Sequence, residues 1–195
     1  LSDHNDGPKR LGGLPEIIPT DAQAIGAPRQ DASENFANSD PRDINRRLES
    51  RVRALCGGQF RTNVSSRFNG EMFSHSVVEG LDWDLPVESR GKVRELLARV
   101  TKPAPDRMII AALYDLRKIT ISRERESTEE GKAAESEVWL RLLAKYPADV
   151  AVHTLREWTQ RVNGRFWPTW HELEQILRSK SSIRTVIAAK LDREP

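Results

Sequence analysis

From Leu81 onward, apolar residues recur every three or four positions, and proline or glycine cuts each run. A period near 3.6 lets a helix bury one face, and the breakers hold each helix to a few turns. Such a chain is predicted to be all-α, a small helical bundle of four to seven helices. Pro86 opens a helix with Val93, Leu96, Leu97 and Val100 inward, ended by Pro103 and Pro105. Asp106 is the expected cap of a second, with Ile109, Ala112, Leu113, Leu116 and Ile119 on its inner face. The charged stretch Ser122 to Glu137 is either a solvated helix or a linker broken at Gly131. A third helix places Val138, Trp139, Leu142, Leu143 and Tyr146 in one stripe before Pro147. A fourth starts near Asp149 and directs Val152, Leu155, Trp158 and Val162 inward, with Asn163-Gly164 as its stop.

The stretch Gly164 to Arg178, "GRFWPTWHELEQILR", leads into the last helix. Thr169 and Glu172 have the spacing of a capping box, in which each side chain takes the other's amide proton. Leu173, Ile176 and Leu177 follow at helical spacing. Ser181-Ser182 is a candidate interruption before Ile183, Val186, Ile187 and Leu191 resume the pattern.

The N-terminal part differs. Residues 1–41 hold five of the eleven prolines and no sustained period, which predicts a disordered tail. Its one apolar run is Leu11 to Pro19. Residues 42–80 are expected to form a basic helix and a Gly/Ser-rich connector, and 81–195 the helical domain. In the helix 42–56, Ile44, Leu48, Val52 and Leu55 form the apolar stripe, Asp43 is the expected cap, and Gly57-Gly58 the stop. Seven arginines against two acids between 42 and 67 make this the most basic stretch. Arg46, Arg47, Arg51 and Arg53 are the candidate nucleic-acid contacts, because a guanidinium forks phosphate oxygens. The competing reading is a solvated face with i,i+4 pairs. Phe60, Phe68 and Phe73, set among Arg61 and Arg67, either stack bases or anchor a loop.

The whole chain is nearly neutral, with 31 basic and 29 acidic residues, so a nucleic-acid contact has to be local. The single Cys56 excludes an internal disulfide and a multi-thiolate metal site. It falls at a helix C-terminus, where the dipole disfavours a thiolate. His4, His75, His153 and His171 have no metal-ligand spacing, and no P-loop, G-x-S-x-G or G-x-G-x-x-G occurs. The expectation is a chain without catalytic, cofactor-binding or metal residues, with no small-molecule substrate. No apolar run approaches a membrane span, and the first ten residues lack a basic-then-apolar signal, so no membrane association and a cytoplasmic location are expected. The missing initiator Met suggests a trimmed chain.

The segment Glu137 to Leu177 resembles the helical domain of phage and prophage replication proteins that load or inhibit a replicative helicase. The features are Trp139, Leu142 and Leu143; Tyr146-Pro147; Leu155 and Trp158; then Phe166, Pro168, Thr169, Glu172 and Leu173. The match is close over about forty residues, and its motif is a helix–turn–helix packing signature plus a capping box. The resemblance implies a non-enzymatic accessory protein of DNA replication, with a replicative ring helicase as partner and single-stranded or duplex DNA nearby. In such loaders the flexible part is expected at the C-terminus. Here it is N-terminal, so residues 1–41 or a helix face would take its role. Trp139, Trp158, Phe166 and Trp167 are expected in the core, and Trp170 and His171 on the outer, partner-binding side of the corner. Two alternatives stand beside this one. One is a DNA-binding regulatory or architectural protein using helix 42–56, and the other is a virion or scaffolding component.

Overall fold

The computed structural model describes residues 36–68, 74–121, 128–161 and 164–193. Six helices are present among them: α1 (Pro41–Leu55), α2 (Val87–Val100), α3 (Asp106–Ile119), α4 (Glu129–Leu143), α5 (Ala148–Glu157) and α6 (Trp170–Arg193). A 3₁₀ turn at Trp158–Gln160 extends α5. The fold is therefore mostly helical, as the periodicity predicts, but it is not all-α. Residues Phe60–Phe68 (β1) and Ser74–Trp83 (β2) pair as an antiparallel two-stranded sheet.

A physical reason explains why that ribbon was read as a connector. Asn63 pairs with Gly80, and the next residue, Val64, pairs with Val78, which leaves Glu79 as an extra residue. Such a bulge shifts the in–out phase of the strand. Trp83 and Leu81 face inward two apart, and the next inward residue is Val78, three further back. A strict period of two is thus broken in mid-strand.

Some predicted boundaries move. Asp40, not Asp43, caps α1, its carboxylate accepting from the Arg42 amide at 2.8 Å. Pro105 occupies the cap of α3, and Asp106 is its first residue, favourably placed at the positive end of the dipole. Gly131 does not break a helix. It lies in the first turn of α4, where its amide donates to the capping hydroxyl of Thr128. Ile119 is 64% exposed rather than inward. Ala37, counted with the tail in the sequence, is buried in the core. Residues 1–35, most of the predicted tail, together with Phe73, Ser122–Ser127, Val162 and Asn163, lie outside the described residues.

The apolar side chains gather in two clusters. The first joins α3, α4, α5 and the first half of α6, through residues such as Ile109, Leu116, Trp139, Leu155 and Leu173. The second joins α1, the ribbon, α2 and the second half of α6, through Leu48, Val52, Leu81, Trp83, Val93 and Ile187. Residues 42–80 therefore share a core with the helices that follow. The uninterrupted 24-residue α6 threads both clusters. Its serines do not interrupt it. Ser182 Oγ accepts from the Val78 amide at 3.1 Å, and Ser179 Oγ donates to the Ser76 carbonyl at 2.7 Å. Small side chains there let β2 approach the helix closely.

Candidate functional site

Between the clusters lies a buried ion pair. Arg184 and Asp149 are each 1% exposed, and the guanidinium forks both carboxylate oxygens, with Nη1 to Oδ1 at 2.7 Å and Nη2 to Oδ2 at 2.5 Å. Arg184 Nη1 also donates to the Val100 carbonyl, and Nε donates to Asn45 Oδ1. Asn45 Nδ2 in turn donates to the Lys180 carbonyl. Four helices, α1, α2, α5 and α6, thus meet on one guanidinium. Burial of two charges costs heavily unless every donor and acceptor is met, and here a fork and two neutral acceptors meet the guanidinium.

One turn away, Lys180, Glu157 and His153 form a half-buried group. The Lys180 ammonium donates to Glu157 Oε2 and stands 3.2 Å from His153 Nδ1. Burial pulls the Lys180 pKa down, against its bond to Glu157. Burial alone would raise the Glu157 pKa, but the Lys180 bond and the charges of Lys180, His153 and Arg42 together hold it below the usual carboxylate range. These charges are occupied with one another. At Cys56, burial first and then the Asp84 charge push the thiol pKa up, against the pull of Arg53. No group of three or more His, Cys, Asp or Glu capable of holding a metal occurs among the described residues. No described helix is long and apolar enough to cross a membrane.

The four candidate arginines of α1 are all exposed but do not act as one surface. Arg46 Nη1 lies 3.4 Å from Asp43, in a pair so open to solvent that it contributes little. Arg53 stacks over the Phe60 ring at 5.1 Å. Phe60 itself is buried in the second cluster, so it anchors the ribbon rather than offering a face to a base. Arg47 and Arg51, one turn apart, line a groove of about 400 Å³ between α1, the end of α2 and the turn at Phe36. Ile44, Leu48 and Val100 are its apolar lining, and Ser39, Asp40 and Asp43, at and near the start of α1, line it as well.

The corner at 164–177 is built as its sequence predicts. The Thr169 amide donates to Glu172 Oε2 at 2.8 Å, and the Glu172 amide donates to Thr169 Oγ1 at 3.3 Å. Trp158 Nε1 donates to the Phe166 carbonyl at 2.7 Å. Gly164 is required for space rather than for a left-handed backbone, because a Cβ there would collide with the Trp158 carbonyl and Thr159. Trp139 is buried, and Trp167 and Trp170 stand edge-on to it at 5.5 and 5.7 Å. Trp170 is therefore half-buried against aromatic neighbours, while His171 beside it is exposed and lies 2.9 Å from Gln175 Nε2.

Sequence reading missed a second surface. Ile110, Leu113, Tyr114, Trp139 and Trp167 line a small apolar groove between α3 and α4, about 120 Å³ in volume. Ile110 and Tyr114 at its rim are 53% and 61% exposed, and Ile121 and Val138 are exposed as well. Arg117 and Glu135 brace it, since Glu135 accepts from both Arg117 (2.6 Å) and Trp167 Nε1 (2.8 Å). The signal was present in α3, where Ile110 and Tyr114 add a second apolar stripe to a helix whose first stripe already meets the core.

No protein-family model, curated protein or solved structure matches this chain.

Proposed function

We propose that this chain is a non-enzymatic accessory protein of DNA replication that binds a replicative ring helicase and promotes its loading on single-stranded DNA. The observation that carries the reading is the coincidence of two features. The segment 137–177, which resembles the phage helicase-loader domain, supplies Trp139 and Trp167 to the open groove rimmed by Ile110 and Tyr114. An exposed apolar rim around an aromatic floor is the usual make-up of a protein-binding hot spot. Binding energy spent on an open ring conformation would shift the helicase toward it, with release once DNA is engaged. The test is co-elution with the hexameric helicase of the native host, together with an unwinding assay. Wild-type chain is expected to co-elute and alter unwinding, and Ile110→Glu with Tyr114→Glu to do neither. Absence of both effects for the wild type rejects the reading.

A second reading, a DNA-binding regulatory or architectural protein, is favoured by one observation. Arg47 and Arg51 have no acidic partner among the described residues and face an open groove. It predicts duplex binding that falls steeply with salt. Duplex affinity unchanged by Arg→Ala at 46, 47, 51 and 53 rejects it.

A further inference from the structure

We infer that the groove between α1, α2 and the Phe36 turn is a nucleotide site, with the phosphate on Arg47 and Arg51 and an amino-bearing base at the opposite end. This deepens the DNA-contact part of the function proposed above. The volume of about 400 Å³ falls within the range of small-ligand sites. The charged lining residues run from acidic to basic along α1, in the order Asp40, Asp43, Arg47 and Arg51. Arg47 and Arg51 lie one turn apart on the same face, about 6 Å in rise, which suits two forks on one phosphate or on neighbouring ones. Asp40 and Asp43, nearer the start of α1, repel a phosphate and accept from an exocyclic amine. Ile44, Leu48 and Val100 supply apolar lining, and the half-buried Phe36 is the aromatic side chain among the described lining residues, suited to stacking on a base. Arg46 and Arg53 do not line it: Arg46 meets Asp43 only in a pair open to solvent, and Arg53 stacks on Phe60.

The polarity makes the base choice specific. Adenine and cytosine present an amine to the carboxylates, and thymine presents a carbonyl oxygen that they repel. The same chemistry could come from a free nucleotide or from a residue of a single strand, and oligonucleotide and mononucleotide arms separate the two.

The test is fluorescence anisotropy of the full chain with end-labelled oligo-dA and oligo-dT at fixed salt, and competition by dAMP and dTMP. Oligo-dA is expected to bind more tightly than oligo-dT, by about fivefold or more. Arg47→Ala with Arg51→Ala is expected to weaken oligo-dA by about tenfold or more, and Arg46→Ala with Arg53→Ala by about twofold at most. Phe36→Ala should weaken both strands, while Phe36→Trp retains binding and adds a tryptophan signal quenched by dAMP. Oligo-dA binding no tighter than dAMP assigns the site to free nucleotide, and tighter binding assigns it to a strand. With every variant checked for wild-type circular dichroism, equal loss from the two arginine pairs, no preference between dA and dT, or no binding by the wild-type chain would each overturn the proposal. A chain that still captures the helicase but binds neither nucleotide nor strand overturns this inference alone.

Discussion

The two apolar clusters bury their side chains by different means. The first is assembled from neighbours in the chain, since α3, α4, α5 and the start of α6 follow one another, and aromatic rings close it. The second joins Leu48 to Leu191 and recruits a β-ribbon between two helices. Local helix packing is rewarded step by step, whereas distant pairing closes a long loop before any contact forms. The second cluster therefore depends more on the junction that aligns it, and that junction is the pair Arg184–Asp149. An apolar core alone would leave the angle between the halves loosely specified. A planar fork with two further partners, the Val100 carbonyl and Asn45 Oδ1, fixes it.

The largest expected effect breaks this junction. Arg184→Ala leaves Asp149 buried and unpaired, and is expected to cost about 3–5 kcal/mol in urea unfolding. A cost near zero would mean that the pair does not join the clusters. Next, Leu155→Ala in the first cluster and Ile187→Ala in the second are each expected to cost about 2–5 kcal/mol, in a single cooperative transition. Two separate transitions would show that the clusters unfold independently. Thr169→Ala removes the cap of α6 and is expected to cost about 1 kcal/mol, measured in the same way. An unchanged midpoint would remove the capping box from the account. The smallest effect concerns pH. Because the Glu157 pKa is held below its ordinary 4.5, its contribution is fully present above that value and is lost as pH falls through the lowered one. The stability gap between wild type and Glu157→Gln should therefore close on acidification below about 4.5. A gap independent of pH would mean that Glu157 acts only by packing.

Much of the first cluster was legible in the sequence. Its helices each carry an apolar stripe of period near 3.6 that meets the core, and the 164–177 corner has a capping signature that the structure reproduces bond for bond. The helical stripes of the second cluster were legible too, through Leu48, Val52, Val93, Leu97, Ile183, Ile187 and Leu191, but its ribbon and the buried pair beside it were not, for two physical reasons. The bulge at Glu79 breaks the period that marks a strand, so the ribbon read as a connector. In α6, Lys180 and Arg184 fall in register with the apolar stripe of Leu173, Leu177, Ile187 and Leu191, a sign of inward charge that helical periodicity treats as noise. Of the candidate contacts, the arginines of α1 were legible as a group, but their division follows from Asp43 on the same helix and from the tertiary neighbours Phe60 and Phe36. Trp170, expected to be partly exposed at the outside of the corner, is half-buried with one side edge-on to the Trp139 ring.

The serines of α6 bear on solubility. A two-stranded ribbon presents two edges of unpaired backbone groups, each a template for strand addition and aggregation. Ser179 and Ser182 occupy groups of β2 on the helix side, so a stray strand finds that edge already taken. The β1 side is left with exposed Arg61, Asn63 and Ser66 around a single exposed Val64, and the charge of Arg61 counters strand addition there. Two hydroxyls in the middle of a helix thus also act as a guard against misassembly.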